Sequence, residues 1–257
     1  MIKDFEFLLK RIFFSESYLL KKRLKRAINK GYEKELLIIN KFADKSKDAL
    51  DVGVYRGVYS YKLSQNFKNI HSFEPNPLLF PYLEKNLIKI ISNIKLYNLA
   101  LSNENGFTEL KLPLRSKSIF EDNIEELFQL GAATMHPNNK IDNYKKVQIK
   151  MKKLDDIEIG NKIGLIKIDV EGHEKNVLQG GIETVKNNKP VLLVEIEERH
   201  TKIPITETIN FIKSIGYKGF ISKESHLIEI DKVRDLKKEN NFFFLPFDHK
   251  LTQSSGQ

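Results

Sequence analysis

Polar residues follow five apolar segments that have the length of buried strands. These residues are Asp51, Glu74, Ser102, Asp169 and Glu195. Because ligands of open α/β sheets bind at the carboxyl ends of the strands, we expect the five side chains to meet at one edge of a sheet. Carboxylates at such an edge could bind a cation or a sugar diol, accept a proton from a hydroxyl group, or hold Mg²⁺. Capping of the following turns would explain some of these residues, but not all five.

The most informative pattern is the stretch ALDVGVYRGVYS at residues 49–60, with Asp51, Gly53 and Gly57 in fixed spacing. It predicts a buried strand, a glycine turn and a helix, and the glycines would let the backbone approach a ligand. A dinucleotide-binding fingerprint needs G-x-G-x-x-G, but position 55 is Tyr55, and Asp51 would repel a pyrophosphate. S-adenosylmethionine has no phosphates and carries a sulfonium and an ammonium group. The pattern therefore favours S-adenosylmethionine, with a plain strand-to-helix turn as the alternative.

The end of the second predicted strand carries another candidate ligand group. Glu74 lies 23 residues after Asp51 and directly follows the apolar segment 70–73. An acidic residue at this place can accept hydrogen bonds from a ribose diol. A helix cap, with residues 75–77 opening the next helix, is the alternative interpretation. The candidate cofactor-binding residues are Asp51, Gly53, Tyr55, Gly57, Glu74, Ser102 and Asp169.

The fourth predicted strand of the sheet, residues 163–168, leads into a cluster of groups suited to acid–base chemistry. Methyl transfer to a hydroxyl group requires alignment and either a general base or a metal ion. His173 would lie in the first turn of a helix, where the dipole favours the neutral imidazole that a base requires. Mg²⁺ held by Asp169 and Glu195 is the other route, and capping or solvent exposure would explain Asp169 and His173 without catalysis. The candidate catalytic residues are Asp169, His173 and Glu195, and Glu171 is a candidate for acceptor binding.

Residues 113–146 interrupt the alternation of strands and helices. A segment of this length between regular elements is commonly functional. We expect it to be a mobile cover over the acceptor pocket, with Thr134, Met135 and His136 facing that pocket.

Composition limits the classes of protein to which the chain can belong. Its 257 residues suffice for one large α/β domain, and the absence of cysteine excludes disulfides, thiolate zinc sites and iron–sulfur radical chemistry. No run of 18 apolar residues occurs, and the N-terminus does not resemble a signal peptide, so we expect a cytoplasmic protein.

The net charge of +9 is concentrated at residues 21–26. That run predicts a solvated helix face, with attraction to a phosphate-bearing substrate or peripheral binding at the inner membrane face as the alternatives.

The remaining pattern predicts one mostly parallel, seven-stranded α/β sheet with helices on both faces. We expect the last strand to run antiparallel at the edge of that sheet. The pattern of residues 1–47 predicts a helical extension, which would dock on the domain, mediate dimerisation or lie on a membrane. The main domain would cover residues 48–250, and residues 251–257 would form a disordered tail.

The sequence resembles the FkbM family of S-adenosylmethionine-dependent methyltransferases over roughly residues 48–247. The motifs that support this resemblance include DVGVYRGVYS at 51–60, FEPNP at 73–77 and IKIDVEGHEKNVLQGG at 166–181. The resemblance implies a Rossmann-like class I methyltransferase fold and O-methylation of a glycan, glycolipid or natural product. It also implies that Asp51, Gly53, Gly57 and Glu74 bind the cofactor.

Two other functions compete with this interpretation. The basic charge is compatible with an RNA or other nucleic-acid methyltransferase. However, the acidic sequence DVEG follows the fourth strand at residues 169–172, where amino-methylating enzymes carry an Asn/Asp-Pro-Pro-aromatic motif. A binding module without catalysis is less favoured, because every acidic position of the pattern is filled.

Overall fold

The computed structural model describes residues 14–31, 33–113, 133–135 and 144–253. Strands and helices alternate over most of this part of the chain. The helices are α1 (Glu16–Asn29), α2 (Glu35–Ile38), α3 (Val58–Ser64), α4 (Phe80–Leu87), α5 (Glu174–Gly180), α6 (Ile182–Asn188), α7 (Glu198–Thr201), α8 (Ile205–Ser214) and α9 (Lys250–Gln253). Short 3₁₀ helices cover Ile39–Phe42, Leu154–Asp156, Ile230–Lys232 and Leu236–Lys238.

The strands form two sheets. They are β1 (Asp48–Val52), β2 (Ile70–Phe73), β3 (Ile94–Tyr97), β4 (Ala100–Leu101), β5 (Gly106–Pro113), β6 (Tyr144–Lys152), β7 (Ile163–Ile168), β8 (Val191–Glu195), β9 (Tyr217–Lys223), β10 (His226–Glu229) and β11 (Asn241–Pro246). The large sheet has eight strands in the order β10-β9-β11-β8-β7-β1-β2-β3, and the small sheet has the order β4-β6-β5.

The large sheet confirms the predicted fold class. Strands β3, β2, β1, β7 and β8 pair in parallel. Two details differ from the prediction: β10 adds an eighth strand beside β9, and β11 lies between β8 and β9 rather than at the edge. The position of β11 follows from its sequence, because Phe242, Phe243 and Phe244 have no exposed surface and need neighbours on both sides and both faces.

Helices cover both faces of the large sheet. Leu50 and Val52 of β1 pack in one core with residues of α5, α6 and α8, whereas Ala49 packs in another with residues of α2 and α3. Successive strand residues point to opposite faces, so Asp51 lies on the same face as Ala49. Helix α1 packs through Leu20 and Leu24 into a third cluster with α4. Residues 1–13 of the predicted helical extension lie outside the described residues.

Ser102 does not follow a strand of the large sheet as expected. The third strand of that sheet ends at Tyr97, and Ser102 follows β4 of the small sheet. The helical region after Asp169 is divided at Gly181 into α5 and α6. Residues 251–253 belong to α9, in which buried Thr252 donates to backbone carbonyls, so the predicted disorder is wrong there. Residues 254–257 lie outside the described residues.

Candidate functional site

A cavity of about 120 Å³ opens where the carboxyl ends of β1, β2, β7 and β8 meet. Of the five polar residues that follow predicted strands, Glu74, Asp169 and Glu195 line it, and Asp51 and Ser102 do not. The other lining residues are Val52, Gly53, Tyr55, Phe73, Pro75, Leu99, Ala100, Leu101, Leu110, Ala133, Met135, Val170 and Glu171. The cavity therefore combines apolar lining residues with an acidic end, to which Glu74, Asp169, Glu171 and Glu195 contribute.

The glycines of the first turn make room for other parts of the protein. Gly53 has a φ of +91°, and a Cβ built there would lie 1.8 Å from the carbonyl oxygen of Asp169. Gly57 has a φ of +80°, and its Cβ would lie 2.8 Å from Cδ2 of Leu87. Both glycines therefore allow close packing, of β1 against β7 at Gly53 and of the turn against α4 at Gly57. Gly53 also lines the cavity, so the expectation that these glycines let the backbone approach a ligand stays a prediction.

Glu74 is held by the turn that it faces. Its Oε2 accepts the backbone N–H of Tyr55 at 2.9 Å, and its Oε1 accepts the N–H of Asn76 at 3.0 Å. Tyr55 adopts a left-handed conformation with φ of 47°, which aims its N–H at the carboxylate. Burial raises the pKa of Glu74 to about 7, although the side chain still reaches the cavity. A fixed carboxylate of this kind can accept further hydrogen bonds from a diol.

Asp51 is enclosed beneath the turn. Its Oδ2 accepts the hydroxyl of Ser60 at 2.5 Å, and Ser60 lies 2.8 Å from the hydroxyl of Ser72. Burial raises the pKa of Asp51 to about 7. The contacts join β1, α3 and β2, so Asp51 ties together the elements that form the turn.

Asp169 and Glu195 form a carboxyl pair at the acidic end of the cavity. Burial, followed by a hydrogen bond to Asp169, raises the pKa of Glu195 well above its usual range, because two adjacent carboxyl groups cannot both ionise readily. Nζ of Lys167 lies 3.2 Å from Oδ2 of Asp169. Asn240 donates to Oε1 of Glu195 at 3.1 Å. The pair therefore shares one proton and has an ammonium group on one side.

His173 and Ser102 contact each other outside the cavity lining. Nε2 of His173 lies 3.0 Å from Oγ of Ser102, and His173 is the residue before α5. Glu174, which the sequence analysis did not single out, accepts the backbone N–H groups of Val170 and Gly172. Burial raises the pKa of Glu174 to about 7. These bonds fix the loop after Asp169.

Residues 133–135 of the predicted cover lie against the cavity. Ala133 and Met135 line it, whereas Thr134 is fully buried and donates its hydroxyl to the carbonyl oxygen of Glu171 at 2.8 Å. Thr134 also forms an isolated antiparallel bridge with Lys111. His136 lies outside the described residues. The segment thus contributes an apolar wall and a support for Glu171, which lines the acidic end.

Residues 51–219 match the family model of the methyltransferase FkbM domain. The chain belongs to this family. The matched region contains the glycine turn, Glu74 and both members of the Asp169–Glu195 pair, so the cavity lies within the FkbM domain.

The chain is also similar to two other proteins. Methyltransferase 1 of Beauveria bassiana (strain ARSEF 2860) is 27% identical over 143 residues, which are 51% of this chain and 57% of the relative. The crystal structure of an FkbM methyltransferase from Methylobacillus flagellatus KT has a TM-score of 0.50 at 16% identity, covering 78% of this chain and 44% of that one. This FkbM chain therefore spans about half the length of each relative, and the structural likeness shows the fold. None of the described helices is long and apolar enough to cross a membrane.

Proposed function

We propose that this chain is an S-adenosylmethionine-dependent methyltransferase acting on a hydroxyl group of a glycan, glycolipid or natural product. The observation that carries the proposal is the cavity itself, which Glu74, Gly53 of the glycine turn and the Asp169–Glu195 pair all line. Membership of the FkbM methyltransferase family supports the choice of methyl donor.

The cavity residues fit S-adenosylmethionine in type and arrangement. The fixed carboxylate of Glu74 suits a ribose diol, and the wall formed by Leu99, Leu101 and Leu110 suits an adenine ring. When bound, S-adenosylmethionine would supply an electrophilic methyl group, and its C–S bonding electrons would stay on sulfur as the acceptor oxygen took the methyl carbon.

We assign Asp169 as the general base that accepts the proton of the acceptor hydroxyl group. It lines the cavity and is partly exposed, and Lys167 stabilises its ionised form. Glu195 carries the shared proton, and its one O–H is engaged in the hydrogen bond to Asp169, so Glu195 supports Asp169 rather than the acceptor directly. His173 is the second candidate for the base, but its contact with Ser102 lies outside the cavity lining.

The acidic pair does not fit a Mg²⁺ site. The Lys167 ammonium group lies 3.2 Å from Oδ2 of Asp169 and is already the cationic partner of that carboxylate. Among the described residues, no group of three or more metal-binding side chains is close enough to hold a metal ion. Mg²⁺ prefers near-octahedral coordination by oxygen ligands, so we derive no step from it.

Glu74→Ala is expected to weaken binding of S-adenosylmethionine about 5- to 150-fold. The substitution leaves polar ligand groups without a partner, which costs about 1–3 kcal/mol. Isothermal titration calorimetry measures the change, with thermal unfolding as a check that the variant folds. The matched control is Glu109→Ala, which removes an exposed carboxylate paired with Lys146. Equal affinity of Glu74→Ala and the parent would contradict the ribose assignment.

Labelled-methyl transfer into fractionated lysate tests the acceptor class. We expect label in polysaccharide, glycolipid or natural-product fractions. Label confined to RNA would favour the nucleic-acid alternative, and donor binding without transfer to any fraction would favour a binding module.

Helix α1 exposes the basic residues Lys21, Lys22 and Lys25, which supports attraction to an anionic acceptor or membrane surface. The acidic end of the cavity argues against a phosphate group at the reacting position.

A further inference from the structure

A buried lysine lies beside the two carboxyl groups of the cavity. Lys167 is 1% exposed in β7, a strand otherwise made of apolar residues and one glycine. Its Nζ lies 3.2 Å from Oδ2 of Asp169 and 4.8 Å from the ring centroid of Tyr59. The Tyr59 hydroxyl donates in turn to the carboxylate of Glu33, just before α2. A buried ammonium group needs such partners because its transfer from water is costly.

Acidic groups face Lys167 from several neighbouring segments. Burial alone would lower the pKa of Lys167, but the surrounding carboxylates raise it above its usual value. Burial raises the pKa of Glu35, Asp51 and Glu195, so these groups are biased toward their neutral forms. The ionisable groups around Lys167 are Glu33, Glu35, Asp51, Tyr59, Asp169 and Glu195.

We propose that Lys167 is a built-in cation that fixes Asp169 beside Glu195, in the role that a divalent metal ion would otherwise have. The inference rests on the proposed methyl transfer. Lys167 does not line the cavity, so it acts through Asp169 as a positioning residue. Its ammonium group holds the Asp169 carboxylate in place, and the hydroxyl proton passes from the acceptor to that carboxylate as the oxygen–methyl bond forms.

Lys167→Met tests the positioning role. We expect kcat to fall on the order of 10- to 100-fold, the size typical of groups that orient a reacting ligand from the next shell. Affinity for S-adenosylmethionine and KM for the acceptor should change little, whereas a purely structural role would lower stability and leave kcat of the folded protein unchanged. Lys167→Arg should recover part of the rate, because it retains the charge. Lys186→Met, which removes an exposed lysine, is the matched control. A folded Lys167→Met variant with the parental kcat would overturn the proposal.

Chelation gives a second test that needs no substitution. The rate of the parent protein in EDTA should equal the untreated rate, because the positive charge is part of the chain. A loss of rate that Mg²⁺ restores would overturn the proposal, whether or not Lys167→Met folds. If the parent transfers no methyl group to any acceptor fraction, the proposed function fails instead, and the two failures are thereby distinguished.

Discussion

Asp169→Asn is expected to lower kcat for methyl transfer by about 10²- to 10⁴-fold, the usual contribution of a general base. The substitution keeps the size of the side chain but removes the carboxylate that faces the cavity beside Lys167. Affinity for S-adenosylmethionine should remain within a few-fold of the parent, because Glu74 and the glycine turn are unchanged. Steady-state turnover with labelled donor, combined with calorimetry, measures both quantities.

Two further variants make this result specific. Glu195→Gln should lower kcat less than Asp169→Asn, because Glu195 holds the shared proton and an amide replaces a neutral carboxyl group. Asp231→Asn is the control, since it removes an exposed carboxylate that pairs with Lys213. A near-parental rate for Asp169→Asn, or a larger loss for Glu195→Gln, would mean that Asp169 is not the base. His173→Ala would then be the next variant to measure.

Gly53→Ala is expected to lower the free energy of unfolding by about 3–5 kcal/mol, at the upper end of single substitutions. The added methyl group would lie 1.8 Å from the carbonyl oxygen of Asp169, a backbone atom that cannot move aside without separating β1 from β7. The φ of +91° adds strain for any residue with a Cβ. Urea unfolding followed by circular dichroism measures the loss.

Two other glycines of the chain serve as controls that separate the steric contact from the backbone strain. Gly216 has a φ of +98° with nothing within 4 Å of its Cβ, so Gly216→Ala reports the backbone strain alone, about 1 kcal/mol. Gly160 has open space and no positive φ, and Gly160→Ala should change stability by less than about 0.5 kcal/mol. If Gly53→Ala loses no more than Gly216→Ala, the close contact with Asp169 is not what requires glycine.

Residue patterns that span one strand or one turn determined the fold class and the place of the cavity. Two such patterns are the spacing of Gly53 and Gly57 and the apolar runs before Glu74 and Asp169. They involve only residues that are close in the chain, so they can be interpreted from the sequence alone. The prediction that strand ends meet at one edge follows from the geometry of any parallel sheet. FkbM family membership and the mostly parallel sheet confirm the predicted family and fold class.

Only the tertiary structure decided which polar groups reach the cavity. Asp51 and Glu74 have equivalent places in sequence, yet Asp51 is enclosed against Ser60 while Glu74 faces the turn. Lys167 lies two residues before Asp169 and on the same face of the chain, but only the fold shows that Tyr59, itself bonded to Glu33, covers this lysine. Such contacts depend on strand order, side-chain direction and the packing of segments that are distant in sequence. The spacing of residues along the chain does not determine them.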